Sequence, residues 1–286
     1  MANRVKLTVS APAKLNLFLH IVGRQSDGYH LLQSVFALLD FGDTLQIGLR
    51  EDGQIHRIST LPGVAAEEDL VVRAARLLQR ESAARLGAEI AVEKRIPVGG
   101  GLGGGSSDAA STLLALNRLW DLGISRARLQ GMALSLGADV PFFVFGRNAW
   151  AEGVGESLHA LDLPAWWYVV LSPAVRVPTP FIFSRPELTR NTIPLKIADF
   201  SASGLADTHN DLQPIVMKAF PAVASSIQAL GAASKKSIFG ARMTGSGACV
   251  FAAFEHERDA RDAFQKLQPE HQGFVARGLR KHPLGD

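Results

Sequence analysis

The chain has 286 residues, with 30 Lys and Arg against 27 Asp and Glu, and a formal net charge of +3. Its 47% apolar and 20% charged residues make a globular composition and exclude disordered, collagenous and fibrous classes. The single cysteine, Cys249, excludes an intramolecular disulfide and a cysteine-based zinc site, and an excess of three charges is a weak footprint for a nucleic acid polymer.

No apolar run approaches the roughly 18 residues of a membrane span. Met1 to Lys6 lacks the apolar core of a signal peptide, so the expectation is a soluble cytoplasmic protein with no membrane association. Leu15, Leu17, Leu19 and Ile21 alternate with Lys14, Asn16, Phe18 and His20, which predicts a strand over 14–22 with Lys14 and Asn16 on one face. Leu45 to Leu49 predicts a second strand. Leu70, Ala74, Leu77 and Leu78 recur at helical spacing and predict a helix over 69–86, followed by a strand over 88–92. After a glycine-rich loop comes a helix from about Asp108 to Trp120. Ser125 predicts an N-cap for a helix to Leu136, with Gly137 as its stop. Pro164, Pro173, Pro178, Pro180, Pro186 and Pro194 then mark a connection and an irregular surface segment. Helical stretches over 212–230, an apolar strand over 248–254, a charged helix over 258–267 and a terminal strand near 274–276 complete the chain. This mixture predicts an α+β protein of two domains, 1–160 and 161–286.

Six of the 27 glycines fall between Gly99 and Gly105. So many glycines permit positive φ and close approach of backbone N–H groups to a ligand. The loop feeds a helix expected to be capped by Ser106 or Ser107, and a helix N-terminus supplies free donors and partial positive charge. The combination predicts an anion site, most plausibly for phosphate; the alternative is a flexible turn. Gly99, Gly101 and Gly104 match the dinucleotide fingerprint, but the acidic residue at the right spacing, Asp121, follows a helix instead of a strand. A Walker A loop would need lysine where Ser106 stands.

Two charged residues and one further turn remain. Lys14, alone, reads as a lysine whose stem lies along apolar surface at a strand end, or as a site cation. Asp139, before Val140-Pro141-Phe142-Phe143, reads equally as an N-cap or as a carboxylate able to accept a proton. The Thr244-Gly245-Ser246-Gly247-Ala248 turn is either an ordinary turn before a strand or a small-residue loop packed on the glycine loop. Cys249 reads as a small buried hydrophobe, and the eight histidines show no metal-ligand spacing.

In this order, Pro12-Ala13-Lys14, Pro97 to Ala110 and Thr244 to Ala248 resemble the three motifs of the GHMP kinases, across nearly the whole chain. Ala13 to Leu19, Asp27-Gly28-Tyr29-His30, Gly137 to Phe143 and Ala151 to Glu156 resemble a branch acting on a cytidine-diphosphate-linked alcohol in non-mevalonate isoprenoid synthesis. The resemblance implies a two-domain α+β fold, with a left-handed βαβ unit in an ATP-binding N-terminal domain and a ferredoxin-like C-terminal domain. It implies transfer of the γ-phosphoryl of ATP to a substrate hydroxyl, with Asp139 as general base and Lys14 orienting it. Pro97, Gly99, Gly100, Gly101, Leu102, Gly103, Gly104, Gly105, Ser106 and Ser107 would hold the nucleotide, and Mg²⁺ would ride with it. Tyr29 and Phe183 would lie on the two faces of cytosine and His30 on its polar edge, with Asn16, Thr179 and Phe36 as further substrate contacts. No obligate protein partner is implied. Ser246 stands where the family commonly has threonine, and Asp69 where it often has asparagine. Two other readings stay open: a different GHMP small-molecule kinase, or a GHMP-fold nucleotide-binding protein without catalysis. The presence of both Lys14 and Asp139 argues against the second, and Tyr29, His30 and Phe183 against the first.

Overall fold

Two long strands open the fold. β1 (Lys6–Arg24) and β2 (His30–Arg50) form an antiparallel hairpin in which Lys14 lies opposite Leu38 and Asn16 opposite Phe36. The structure, a computed structural model, describes residues 6–26, 28–61, 63–197 and 202–285. Met1 to Val5 and Asp27 lie outside the described residues.

The expected alternation along β1 holds only through Asn16. The register shifts between Asn16 and Leu19, so Leu17 and Phe18 both face the central core while Leu19 and Ile21 enter a separate one. Such a bulge reverses which side chains point to which face. The strand expected over 45–49 is only the far end of β2. Residues 33–39 are all buried, so this stretch lacks the polar alternation of a half-exposed strand.

β3 (Ile55–Arg57), α1 (Leu70–Ser82) and β4 (Gly87–Glu93) form a βαβ unit whose two strands pair in parallel. Asp69 caps α1 by accepting from the Val71 N–H at 3.0 Å. The helix stops before the expected Leu86, because Ala83 turns left-handed at φ 54°. α2 (Gly104–Leu119) begins earlier than expected: Gly103, at φ 73°, occupies the capping position. Ser106 and Ser107 therefore lie in the first turn and cap nothing, which corrects the expectation from sequence. Ser125 does cap α3 (Arg126–Ala133), and α4 (Val140–Phe145) follows with Pro141 in its first turn.

β5 (Ala149–Glu152) pairs with β2 and with β6 (Ser157–Ala160). The second half comprises β7 (Trp167–Leu171), α5 (Thr179–Phe183), α6 (Gln213–Ala219), α7 (Pro221–Ala233), β8 (Arg242–Met243), β9 (Val250–Phe254), α8 (Glu257–Leu267) and β10 (Gly273–Leu279). Pro221 breaks the helical stretch expected over 212–230 into α6 and α7. The strand order β10-β7-β9-β8, with α7 against β9 and α8 against β7 and β10, is a ferredoxin-like arrangement. β10 also pairs with β2, Gly278 opposite Leu39 and Leu279 opposite Leu38, so the sheet runs through both halves. That join brings the turn between β8 and β9 against the glycine loop and the head of β1. No single helix among the described residues is long and apolar enough to cross a membrane.

Candidate active site

The glycine loop is held from behind. The carbonyl of Gly100 accepts from the Cys249 N–H at 3.1 Å, that of Gly101 from Thr244 Oγ1 at 3.4 Å, and that of Leu102 from the Lys14 N–H at 3.0 Å. In a trans peptide the N–H points opposite to the carbonyl. The N–H groups of Gly101, Leu102 and Gly103 therefore point away from this backing. The next N–H groups, of Gly104, Gly105 and Ser106, open α2 and have no intrahelical acceptor. Alternating left-handed φ at Gly99 (72°), Gly101 (76°) and Gly103 (73°) produces the concave run of donors that suits an anion. A β-carbon at Gly101 would sit 2.3 Å from the Thr244 carbonyl, and one at Gly100 would sit 2.5 Å from Cys249 Sγ. Cys249 is thus the floor of the loop, and burial pushes its thiol up to about 11. The turn over 244–248 is the small-residue loop packed on the first.

Lys14 is buried, at 4% side-chain exposure, and the strand-end reading is set aside by its partners. Its ammonium donates to Asn16 Oδ1, lies 3.4 Å from Asp139 Oδ2, and stands 5.0 Å above the Phe36 ring. Asn16 is itself fixed: its N–H donates to Thr244 Oγ1 at 2.9 Å, and its Nδ2 to Ser34 Oγ at 2.8 Å. Asp139 occupies the capping position of α4 but makes no side-chain cap bond. Its carboxylate, 37% exposed, turns to Lys14 and lines a cleft of about 610 Å³ with Gly99, Gly101, Arg176, Thr179, Ser246 and Gly247. Ser107, expected to offer its hydroxyl to phosphate, is fully buried and donates to the Pro12 carbonyl at 2.6 Å. Phe36 is 2% exposed and lies beneath the Lys14 ammonium, against Phe142, not on the open wall. Leu102 is likewise buried, and Pro97 leads half-buried into the loop.

Two braces of this site escape a reading of sequence. Asp43 Oδ1 accepts from the N–H groups of Arg95 (2.5 Å) and Ile96 (2.8 Å), fixing the chain where β4 runs into the loop. Lys94 bridges Asp43 and Asp108 Oδ2, the latter at 2.6 Å. Burial raises the Asp108 carboxyl above the usual carboxylate range, with the Lys94 ammonium only partly offsetting it. Asn210 grips the second turn, donating to the carbonyls of Met243 (2.9 Å) and Gly245 (2.8 Å). No local pattern marks residues brought together from such distant positions.

A second group of aromatic residues lies along α5. Thr179, at its start, lines the cleft and shares a 2.7 Å hydrogen bond with Ser246. Phe183, at its end, lies 4.9 Å from the His30 ring. The four-residue step between them is roughly 6 Å of helix. Tyr29, beside His30 at the tip of the β1–β2 hairpin, is 65% exposed. His30 Nε2 accepts from Arg190 Nε at 3.1 Å. Burial, then Arg190 and Arg24, hold the His30 imidazole below its usual proton affinity.

The regions 69–147 and 195–272 match the N-terminal and C-terminal domains of the GHMP kinases. The chain belongs to the GHMP kinase family and is an ATP-dependent kinase of a small molecule. Within the family its similarity is to 4-diphosphocytidyl-2-C-methyl-D-erythritol kinase. The protein of that name from Thiobacillus denitrificans is 60% identical over 96% of both chains, and that from Nitrosospira multiformis 57% identical over 99% of this chain and 95% of its own. The crystal structure of a 4-(cytidine 5'-diphospho)-2C-methyl-D-erythritol kinase superposes with a TM-score of 0.82 at 36% identity, covering 95% of this chain and 99% of that one. A mevalonate kinase structure, at 12% identity and a TM-score of 0.67 over 96% of this chain and 100% of its own, shares the fold.

Proposed function

We propose that the chain transfers the γ-phosphoryl group of ATP to the 2-hydroxyl of 4-diphosphocytidyl-2-C-methyl-D-erythritol, in non-mevalonate isoprenoid precursor synthesis. The observation that carries this reading is the Lys14–Asp139 pair, 3.4 Å apart, with the Asp139 carboxylate lining a cleft beside Gly99, Gly101 and Gly247, the Thr179 and Ser246 hydroxyls and Arg176. Asp139 is the general base, and Lys14 orients its carboxylate and the acceptor hydroxyl. A carboxylate is a far weaker base than an alkoxide, so the proton passes to Asp139 as the new O–P bond forms and the bond to the ADP oxygen breaks. Positioning and charge stabilisation supply most of the rate.

The outward N–H groups of Gly101 to Ser106 hold the nucleotide phosphates. Ser107 serves from behind, tying α2 to Pro12. Among the described residues no cluster of His, Cys, Asp or Glu forms a metal cage. Mg²⁺ would ride with the nucleotide and neutralise phosphate charge, and the hydroxyls of Thr179 and Ser246 are the uncharged cleft oxygens that would help hold it. Tyr29 and Phe183 stack on cytosine and His30 reads its edge. Asn16 and Phe36 act through Lys14, and Thr179 through the cleft wall. The division near residue 160 separates a nucleotide-binding half from one that supplies α5 and the second turn. The acceptor is a small molecule, and the reading requires no protein partner and a cytoplasmic setting.

Asp139→Ala tests the mechanism. The expected result is a kcat loss of roughly 10²–10⁴-fold with ATP affinity, by titration calorimetry, within about threefold of the parent. Near-parental kcat would reduce Asp139 to a structural residue of α4.

A further inference from the structure

Arg190 lies in the loop after α5, outside every motif of the sequence, and its bonds tie the His30 ring to the backbone at the end of α5 and just beyond it. Its Nε donates to His30 Nε2 at 3.1 Å. Its Nη2 donates to the carbonyls of Phe183 (3.1 Å) and Arg185 (2.8 Å), and its Nη1 to that of Leu188 (2.9 Å). One rigid guanidinium therefore fixes the backbone that carries Phe183 and the ring of His30, which lies 4.9 Å from Phe183. The carbonyl bonds leave it little freedom to rotate away.

The chemistry of this contact is asymmetric. A guanidinium has only donors, so the His30 nitrogen that meets it must present its lone pair. A neutral imidazole carries one hydrogen, which must then be on Nδ1. The positive charge of Arg190 opposes a second proton, in the same direction as burial and Arg24. His30 is thereby fixed as a neutral ring that offers an N–H donor from Nδ1.

We propose that Arg190 is a positioning and specificity-determining residue, which locks His30 in the Nδ1–H tautomer so that the site accepts a cytosine ring and rejects uracil. The inference rests on the proposed function, in which His30 meets the polar edge of the base. Cytosine presents N3 as an acceptor to the imidazole donor. Uracil carries a hydrogen on N3, so two donors would confront each other in a partly desolvated site. A site built to hydrogen-bond a particular group rejects an analogue that leaves its polar atoms unpaired.

The tautomer is measured first, on the full chain, by ¹⁵N-histidine NMR with His30 assigned from a His30→Gln variant. The expected pattern has a pyridine-like Nε2 and a pyrrole-like Nδ1; a dominant Nε2–H form overturns the proposal, whatever the kinetics. Next, kcat/KM is compared for the cytidine-diphosphate-linked acceptor and its uridine-diphosphate counterpart. The parent should favour the cytidine compound by at least about 100-fold. Arg190→Gln, whose amide can donate or accept, should narrow that ratio at least about tenfold, chiefly by raising acceptor KM and not the KM of ATP. Arg190→Lys, a donor only, should keep most of it. An unchanged ratio in soluble Arg190→Gln overturns the proposal. If that variant fails to fold, the NMR pattern of the parent decides. A parent that uses neither acceptor would refute the proposed function, and the tautomer would still judge Arg190.

Discussion

Asp139 stands where a helix-capping aspartate is expected, yet its side chain caps nothing and turns to Lys14. A carboxylate that leaves the free N–H groups of α4 for a buried ammonium is the arrangement on which the proposed general-base role rests. Periodicity and spacing show both residue types but not their meeting, because they are far apart in the chain; only the resemblance to the family implies it. Ser107 shows the opposite error: its place after the glycines suggests a phosphate contact, and only the packing of α2 on the head of β1 shows its hydroxyl bound to Pro12. At this scale Gly101→Ala is expected to fail at the nucleotide, since its β-carbon would collide with the Thr244 carbonyl at 2.3 Å in a left-handed backbone. The measurement is the KM of ATP, expected to rise at least about tenfold; an unchanged value would mean the loop does not hold phosphate. Phe183→Ala should instead weaken acceptor binding by roughly 1–3 kcal/mol, with ATP affinity retained.

Among the elements, the glycine loop was the most legible, because composition alone distinguishes it from a common turn. Its rigidity is not, since the groups behind it come from β1, the turn over 244–248 and Cys249 just before β9. Only the far end of β2 is legible in the sequence, because its middle is buried on both faces and carries no alternation. Capping propensity favours serine and so points to a later start for α2, while here a left-handed Gly103 turns the chain into the helix. The Asp43–Lys94–Asp108 network joins three of these elements. Asp43→Ala should leave Lys94 and two backbone N–H groups without their buried partner and cost about 3–5 kcal/mol, read by urea denaturation. A loss under about 1 kcal/mol would show that the network does not hold the loop.

At the scale of the molecule, β10 joins the two halves by pairing with β2 as well as β7. The α+β class was readable from the mixture of patterns, but this closure by the last strand was not, since a short terminal strand carries no mark of its partner. Two enclosed histidines weaken the fold in acid. Burial lowers His20 to about 4 and His282 to about 3, from 6.5. At these two rings the native state binds fewer protons than the unfolded chain between those values and 6.5, and their stabilisation, full above about 6.5, is lost as pH falls through that window. Asp108, held above the usual carboxylate range, opposes this over part of the same window, so the test is a difference: between pH 7 and 5, His20→Phe should lower the slope of unfolding free energy against pH by up to about 1.4 kcal/mol per unit. An unchanged slope in His20→Phe would mean that this ring is charged or solvated in the native state. The most direct test of the account is turnover itself. Purified protein is given ATP and Mg²⁺ with a panel of acceptors, and ADP release is followed. The expected result is turnover of 4-diphosphocytidyl-2-C-methyl-D-erythritol and none of mevalonate, homoserine or galactose; turnover of one of those with none of the cytidine compound would contradict it.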